Sequence, residues 1–231
     1  MRKFILSPHT LNLFEECPRC FWFHMVKGGY YKRPQQPAST LPGGMDGLIK
    51  KYFDIYRQKQ LMPPEIKNIK GRLIEKSKIS KWRNWRTGLK FTDSDGCLLI
   101  GALDECLIEN NTYIPMDYKT RGFPLKYNST SYYTLQMSCY NFLLHKNNYS
   151  VSNYAYLVFY IPSDYPGEGI IKFDIEPIRV ETYHPDKVYS IFRSALSTIF
   201  KSEPPPMAQD CPFCGWAKNV SEKRISQTRL F

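Results

Sequence analysis

The sequence predicts a mixed α/β fold in which a central, partly antiparallel sheet is flanked by helices. Three observations carry this expectation. Two apolar-rich stretches, 97–108 and 112–116, stand on either side of Asn110-Asn111, and asparagine tolerates the left-handed angles that a two-residue hairpin turn requires. Segments with helical spacing of apolar residues stand before and after that hairpin. β-rich segments then alternate with the later helices, an order that suits helices layered on a sheet. At 231 residues and 42% hydrophobic content the chain can bury a sizeable core, and 1–231 is read as a single domain.

Ser7-Pro8 opens the first helical segment, whose apolar residues are Leu11, Leu13, Phe14, Phe21, Trp22 and Phe23, with a break at Cys17-Pro18. Residues 28–44 hold Gly28, Gly29, Pro34, Pro37, Pro42, Gly43 and Gly44 and read as a loop. A second helix is expected from Met45 or Asp46 to Arg57, burying Leu48, Ile49, Tyr52, Phe53 and Tyr56. Pro63-Pro64 breaks the chain, and 65–90 is strongly basic and irregular. Strands are expected at 97–108 and 112–119, a helix at 131–145, and strands at 154–161, 169–175 and 178–183. The last helix runs over 185–201 with Pro185 in its first turn, and Pro204-Pro205-Pro206 ends it. A basic tail follows over 218–231 with Lys223, Arg224 and Arg229, either a flexible arm or a partner-binding segment. No internal repeat is visible.

Lysine and arginine number 32 against 21 acids, a net charge of +11, which favours a polyanionic partner and nucleic acid above others. No run of 18 apolar residues is present, which argues against a membrane span. The apolar run after Met1-Arg2-Lys3 is too short for a secretory signal, so a cytoplasmic chain with reduced thiols is expected.

If Asn110-Asn111 is the turn, Glu109 pairs with Thr112 and counting outward sets Asp104 opposite Asp117 and Ala102 opposite Lys119. Asp104, Asp117 and Lys119 then share one face. Opposed carboxylates repel. Within apolar strands such charges are rare unless paired or bound to metal. One reading makes them a solvated polar face neutralised by Lys119. The other makes them a seat for a hard divalent cation, with Lys119 oriented beside it, suited to activating water and stabilising charge on a phosphoryl oxygen. On the following helix Gln136 and Tyr140, four apart, share a face opposite the apolar Leu135, Cys139, Phe142 and Leu143.

Of the seven cysteines, Cys97, Cys106 and Cys139 sit singly in apolar surroundings and read as core. The other four form Cys17-Pro18-Arg19-Cys20 and Cys211-Pro212-Phe213-Cys214. Four thiolates in two such pairs suit a tetrahedral zinc ion or a four-cysteine iron–sulfur cluster. A shared metal would tie 1–30 to 202–217 as a clasp. It would be structural, because no spare ligand is apparent for an open position. Between Lys78 and Lys90, the cations Lys81, Arg83 and Arg86 interleave with Trp82 and Trp85. The cations suit phosphates, and the indoles either stack on unpaired bases or pack against the protein.

Together these segments resemble the RecB-like branch of the PD-(D/E)XK nucleases over nearly the whole chain. Gly101-Ala102-Leu103-Asp104 resembles the GxxD motif of that family, Asp117-Tyr118-Lys119-Thr120 its DxKT motif, and Gln136 to Tyr140 its QxxxY motif. The opening Leu6 to Leu13 with Cys17-Pro18-Arg19 is similar to its N-terminal segment. The terminal cysteines are similar to those of the CRISPR-associated exonucleases and AddB-like nuclease domains. The resemblance implies a restriction-endonuclease-like core and a Mg²⁺- or Mn²⁺-dependent deoxyribonuclease, an exonuclease on single-stranded DNA or DNA ends. By position, Asp104, Asp117 and the Tyr118 carbonyl would ligate the metal, Lys119 would orient the attacking water, and Gln136 and Tyr140 would brace the site. It also implies protein partners in DNA repair, recombination or CRISPR adaptation.

Two departures stand out. Relatives usually carry a metal-binding histidine on the early helix after a glycine, whereas Gly43-Gly44-Met45-Asp46-Gly47 has none, leaving Asp46 to supply an oxygen ligand. The cluster-bearing relatives commonly split their cysteines one and three, and this chain splits them two and two. A 4Fe–4S cluster is the implied occupant, with structural Zn²⁺ the alternative. The missing histidine also leaves open a catalytically inactive nucleic-acid-binding protein of the same fold, and RNA as substrate is a third reading.

Overall fold

The computed structural model describes residues 3–28, 31–34 and 39–228, with side chains described to residue 222. Gly29, Pro37 and Arg229, named above, lie outside the described residues, as do the side chains of Lys223 and Arg224. The chain divides into two compact units, 1–8 with 38–189 and 9–37 with 190–231.

In chain order the elements are β1 (Ile5–Leu6), α1 (Pro8–Glu16), α2 (Pro18–Trp22), α3 (Leu41–Gln58), β2 (Arg72–Leu73), α4 (Lys76–Trp82), β3 (Leu89–Thr92), β4 (Leu98–Gly101), β5 (Glu105–Glu109), β6 (Thr112–Thr120), α5 (Thr134–Lys146), β7 (Tyr154–Gly167), β8 (Ile170–Glu181), α6 (Pro185–Ile199) and α7 (Pro212–Thr228). The first unit is mixed α/β. Its main sheet has the order β2-β5-β6-β7-β8, and a smaller sheet has the order β1-β4-β3. β5 and β6 form the expected hairpin: Glu109 pairs with Thr112, and Asn110 and Asn111 have φ of 46° and 63°, as a type I′ turn requires. β7 lies parallel to β6 from Met116↔Tyr156 to Thr120↔Tyr160, with α5 in the connection, and all other pairs in this sheet are antiparallel.

Alternation along β6 divides the interior. Ile114, Met116 and Tyr118 join Ile49 and Phe53 of α3, with Leu107, Val158 and Tyr160, in one buried cluster. Asp117 and Lys119, at the intervening positions, face Gln136 of α5 instead. Beneath α3 the fully buried Glu105 accepts hydrogen bonds from Arg57, from Arg83 at 3.2 Å and from the Tyr118 hydroxyl at 3.0 Å. Burial pushes its carboxyl upward while the two guanidiniums pull it down. α5 lies so close to β4 that a Cβ on Gly101 would sit 2.6 Å from Leu143 Cδ1 and 3.3 Å from two ring carbons of Tyr140.

Several expectations are corrected. The predicted strand 97–108 is two strands in different sheets, because Ala102-Leu103-Asp104 leaves β4 and bends before β5. α3 begins at Leu41 and so takes in Pro42, Gly43 and Gly44, which read as loop; proline fits a first turn, where its missing N–H needs no partner. Leu48, expected on its buried face, is exposed. The stretch 65–90 is not irregular but holds β2 and α4. The strands expected at 169–175 and 178–183 are one strand, β8. Within the second unit, Lys218 lies in a helix that starts at Pro212, where a flexible arm was one of two readings.

Candidate active site and cysteine centre

Asp117 sits in the middle of β6, and its side chain is 1% exposed. Gln136 Nε2 donates to Asp117 Oδ1 at 3.2 Å and to the Tyr140 hydroxyl at 2.8 Å, the one-turn spacing on α5 bringing both groups to one place. Lys119 pairs with Asp117 and donates to Gln136 Oε1 at 3.4 Å. Asp117 Oδ2, although beside that ammonium, accepts no directed hydrogen bond and is buried. Burial, with Asp104 nearby and against the pull of Lys119, lifts the Asp117 carboxyl to about 7.

Asp104 lies at the bend that precedes β5. The ladder with β6 ends at Glu105↔Met116, so Asp104 falls one step beyond it on the side of Asp117. Ala102 does not pair with Lys119: the β5–β6 ladder ends at Glu105↔Met116, and Ala102 lies beyond it in the link from β4. Asp46 is on α3 and, with Asp104, Tyr118 and Lys119, lines a cavity of about 280 Å³. Between the two acids stands a residue that the sequence reading missed. Lys50 Nζ is 2.7 Å from Asp46 Oδ2 and 2.6 Å from Asp104 Oδ1. Burial works against the Lys50 charge, but Asp104 and then Asp46 outweigh it and raise its pKa. The four-residue spacing from Asp46 was the available signal. So Asp46, Asp104, Tyr118 and Lys119 share a cavity wall, and Gln136 and Tyr140 brace Asp117. Asp46, Asp104 and Lys119 line the cavity, Lys50 and Asp117 pair with them, and together these charges can orient a polar ligand.

The basic segment divides. Trp82 is 3% exposed and packs edge-on against Tyr113 and Tyr149, so it is a core residue and not a stacking surface. Arg83 is committed to Asp54, at 3.0 Å, and to Glu105, so it too is structural. Trp85 and Arg86 are exposed, the guanidinium 4.8 Å from the indole centroid, and Lys81 is exposed on the last turn of α4. A core tryptophan and a surface one three residues apart look alike in sequence.

In the second unit, the sulfurs of Cys17, Cys20, Cys211 and Cys214 all lie within 4.8 Å of one another. Individual separations are 3.8 Å for Cys17–Cys214, 3.6 Å for Cys20–Cys211 and 3.5 Å for Cys20–Cys214. The two CxxC pairs thus meet, as expected, and can bind a metal such as zinc or an iron–sulfur cluster. Burial would raise the Cys17 thiol, but backbone N–H groups of Ala208 and Cys20 bring it down to about 7. Arg33, also missed in the sequence, lies 3.8 Å from the Cys211 sulfur, pairs with Glu16 and covers the Phe213 ring at 4.6 Å. Cys97, Cys106 and Cys139 are buried apart from this group.

No protein-family model and no curated protein matches the chain. A solved structure described as "Crystal structure of SSO0001" is similar at 12% identity over 88% of this chain and 80% of that one, with a TM-score of 0.40. A likeness so slight carries no argument about fold family or activity. Among the described residues no helix is long and apolar enough to cross a membrane.

Proposed function

We propose that the chain is a divalent-metal-dependent DNA nuclease with a restriction-endonuclease-like core, acting on single strands or DNA ends. The observation that carries this reading is Asp117: a carboxylate at 1% exposure, one oxygen without a hydrogen bond, beside a second carboxylate and a lysine. A buried carboxylate held only by one ammonium and one amide fits a hard cation as a further partner. Asp104 and Asp117 would hold the ion, with the Tyr118 carbonyl as a further donor. When bound, such an ion polarises a phosphoryl oxygen and acidifies a water. Lys119 orients the attacking water, and Gln136, fixed by Tyr140, holds Asp117 and Lys119 in register. Lys81, Trp85 and Arg86 are the exposed groups suited to a DNA strand. Asp117→Ala and Lys119→Ala are each expected to abolish cleavage of end-labelled DNA in Mg²⁺ or Mn²⁺ while leaving the thermal melt cooperative. Cleavage at the parental rate by either variant would refute the assignment, and matched RNA oligonucleotides separate the two substrate classes.

A second reading is favoured by Lys50, whose ammonium already pairs with both Asp46 and Asp104. It makes the chain a nucleic-acid-binding protein without turnover. DNA binding with no cleavage in any divalent metal would decide for it.

For the cysteine centre, sulfur spacing supports one zinc ion over the cluster. A tetrahedral ion at about 2.3 Å from each thiolate sets sulfurs about 3.8 Å apart, and three of the pairs here span 3.5–3.8 Å. A cubane spreads its thiolates wider, since each caps a different iron.

A further inference from the structure

α3 presents Asp46 and Lys50 one turn apart, both toward the bend that carries Asp104. The Lys50 ammonium bonds the two carboxylates at 2.7 and 2.6 Å, and the side chain is only 23% exposed. Asp117, by contrast, has Lys119 and Gln136. Each end of the acidic cleft therefore has its own lysine, and Asp117 is the most deeply buried of the three carboxylates. We infer that Lys50 is a built-in counter-ion that fills the position between Asp46 and Asp104 which a second divalent cation would otherwise take, so that the centre loads one metal ion. Asp46 then serves the site by holding Lys50 and not as the replacement for a histidine ligand.

Charge supports this count. With Asp117 ionised, Asp46, Asp104 and Asp117 bring three negative charges, and Lys50 and Lys119 return two. One divalent cation turns the remaining single negative charge into a single positive one, which complements one phosphodiester. A second would leave an excess facing the two ammoniums across a partly desolvated cleft, where like charges repel strongly. Tethering the second cation as a side chain also spares the site the entropy of capturing a free ion.

This inference rests on the cation site of the proposed nuclease, and its test reads metal binding without cleavage. Mn²⁺ is titrated into the full chain and free ion is followed by electron paramagnetic resonance. Wild type is expected to bind one Mn²⁺ in the first unit. Lys50→Met, which keeps the aliphatic stem, should bind a second, or bind the first about tenfold more tightly. Adding Asp46→Asn to Lys50→Met should remove that gain, and Lys50→Arg should match wild type. Two ions in wild type, or an unchanged isotherm for Lys50→Met alongside a wild-type-like Lys50→Arg, would overturn the inference and leave the nuclease reading standing. No binding by wild type with binding by Lys50→Met would overturn the one-ion count and end the nuclease reading. No binding by either would end both.

Discussion

A carboxylate at 1% exposure beside a second carboxylate is ionised only at a cost, and the cost falls on the folded state. Asp117 holds its proton up to about pH 7 when folded, against an ordinary value of 3.8. Between those two values the folded chain binds the proton more tightly than the unfolded chain does. Stability from this group is therefore full below about pH 4 and is lost as pH rises through 7. Asp117→Asn removes that penalty. In buffer free of divalent ions it should melt higher than the parent at pH 8, by about 1–3 kcal/mol after loss of the Lys119 pair, and show no advantage near pH 4. Equal melts at pH 8 would mean that Lys119 alone compensates the charge. Asp104, Asp117 and Lys119 were legible in the sequence because β alternation and an Asn-Asn turn leave few ways to arrange them. Lys50 was not, because Lys50-Lys51 on an amphipathic helix reads as an ordinary solvated pair.

The approach of α5 to β4 depends on Gly101, where any side chain meets Leu143 and the Tyr140 ring. Leu143 can turn its tip only into a filled interior, since it is itself fully buried. Gly101→Ala is expected to cost about 1–3 kcal/mol. By displacing Tyr140 it should also lower cleavage more than thermal stability alone predicts, an effect visible at a temperature where both proteins stay folded. A Gly101→Ala protein with unchanged melt and rate would show that α5 gives way freely. This gives the glycine of the GxxD stretch a packing reason. The hairpin was readable from its alternation and its Asn-Asn turn, and α5, which is buried on nearly every side, from an apolar-rich run too long for a strand. The two-residue strands β1 and β2 were not, because nothing so short carries a period. The break between β4 and β5 was hidden inside an apolar run, and Leu103, fully buried at the break, preserved that impression.

The second unit is built from segments that stand far apart in the chain, with Cys20 and Cys211 separated by 191 positions. Closing so long a loop carries a large entropy cost, which a metal shared by both segments offsets. Metal analysis should find about one zinc and no iron in colourless protein, and chelation should make 190–222 the first segment cut by protease while the β5–β8 region resists. Brown protein with four irons would restore the cluster reading. Protein purified anaerobically without chelator and holding neither metal would remove the clasp. That the two CxxC motifs meet was legible from their pairing in the sequence. The main sheet, finally, ends at β8, the last strand in its order. Lys172, Asp174, Glu176, Arg179 and Glu181 are spread along it, and Pro177 removes one donor. A strand so charged and interrupted is a poor template for another chain, which guards the basic, aromatic-rich protein against edge-to-edge aggregation.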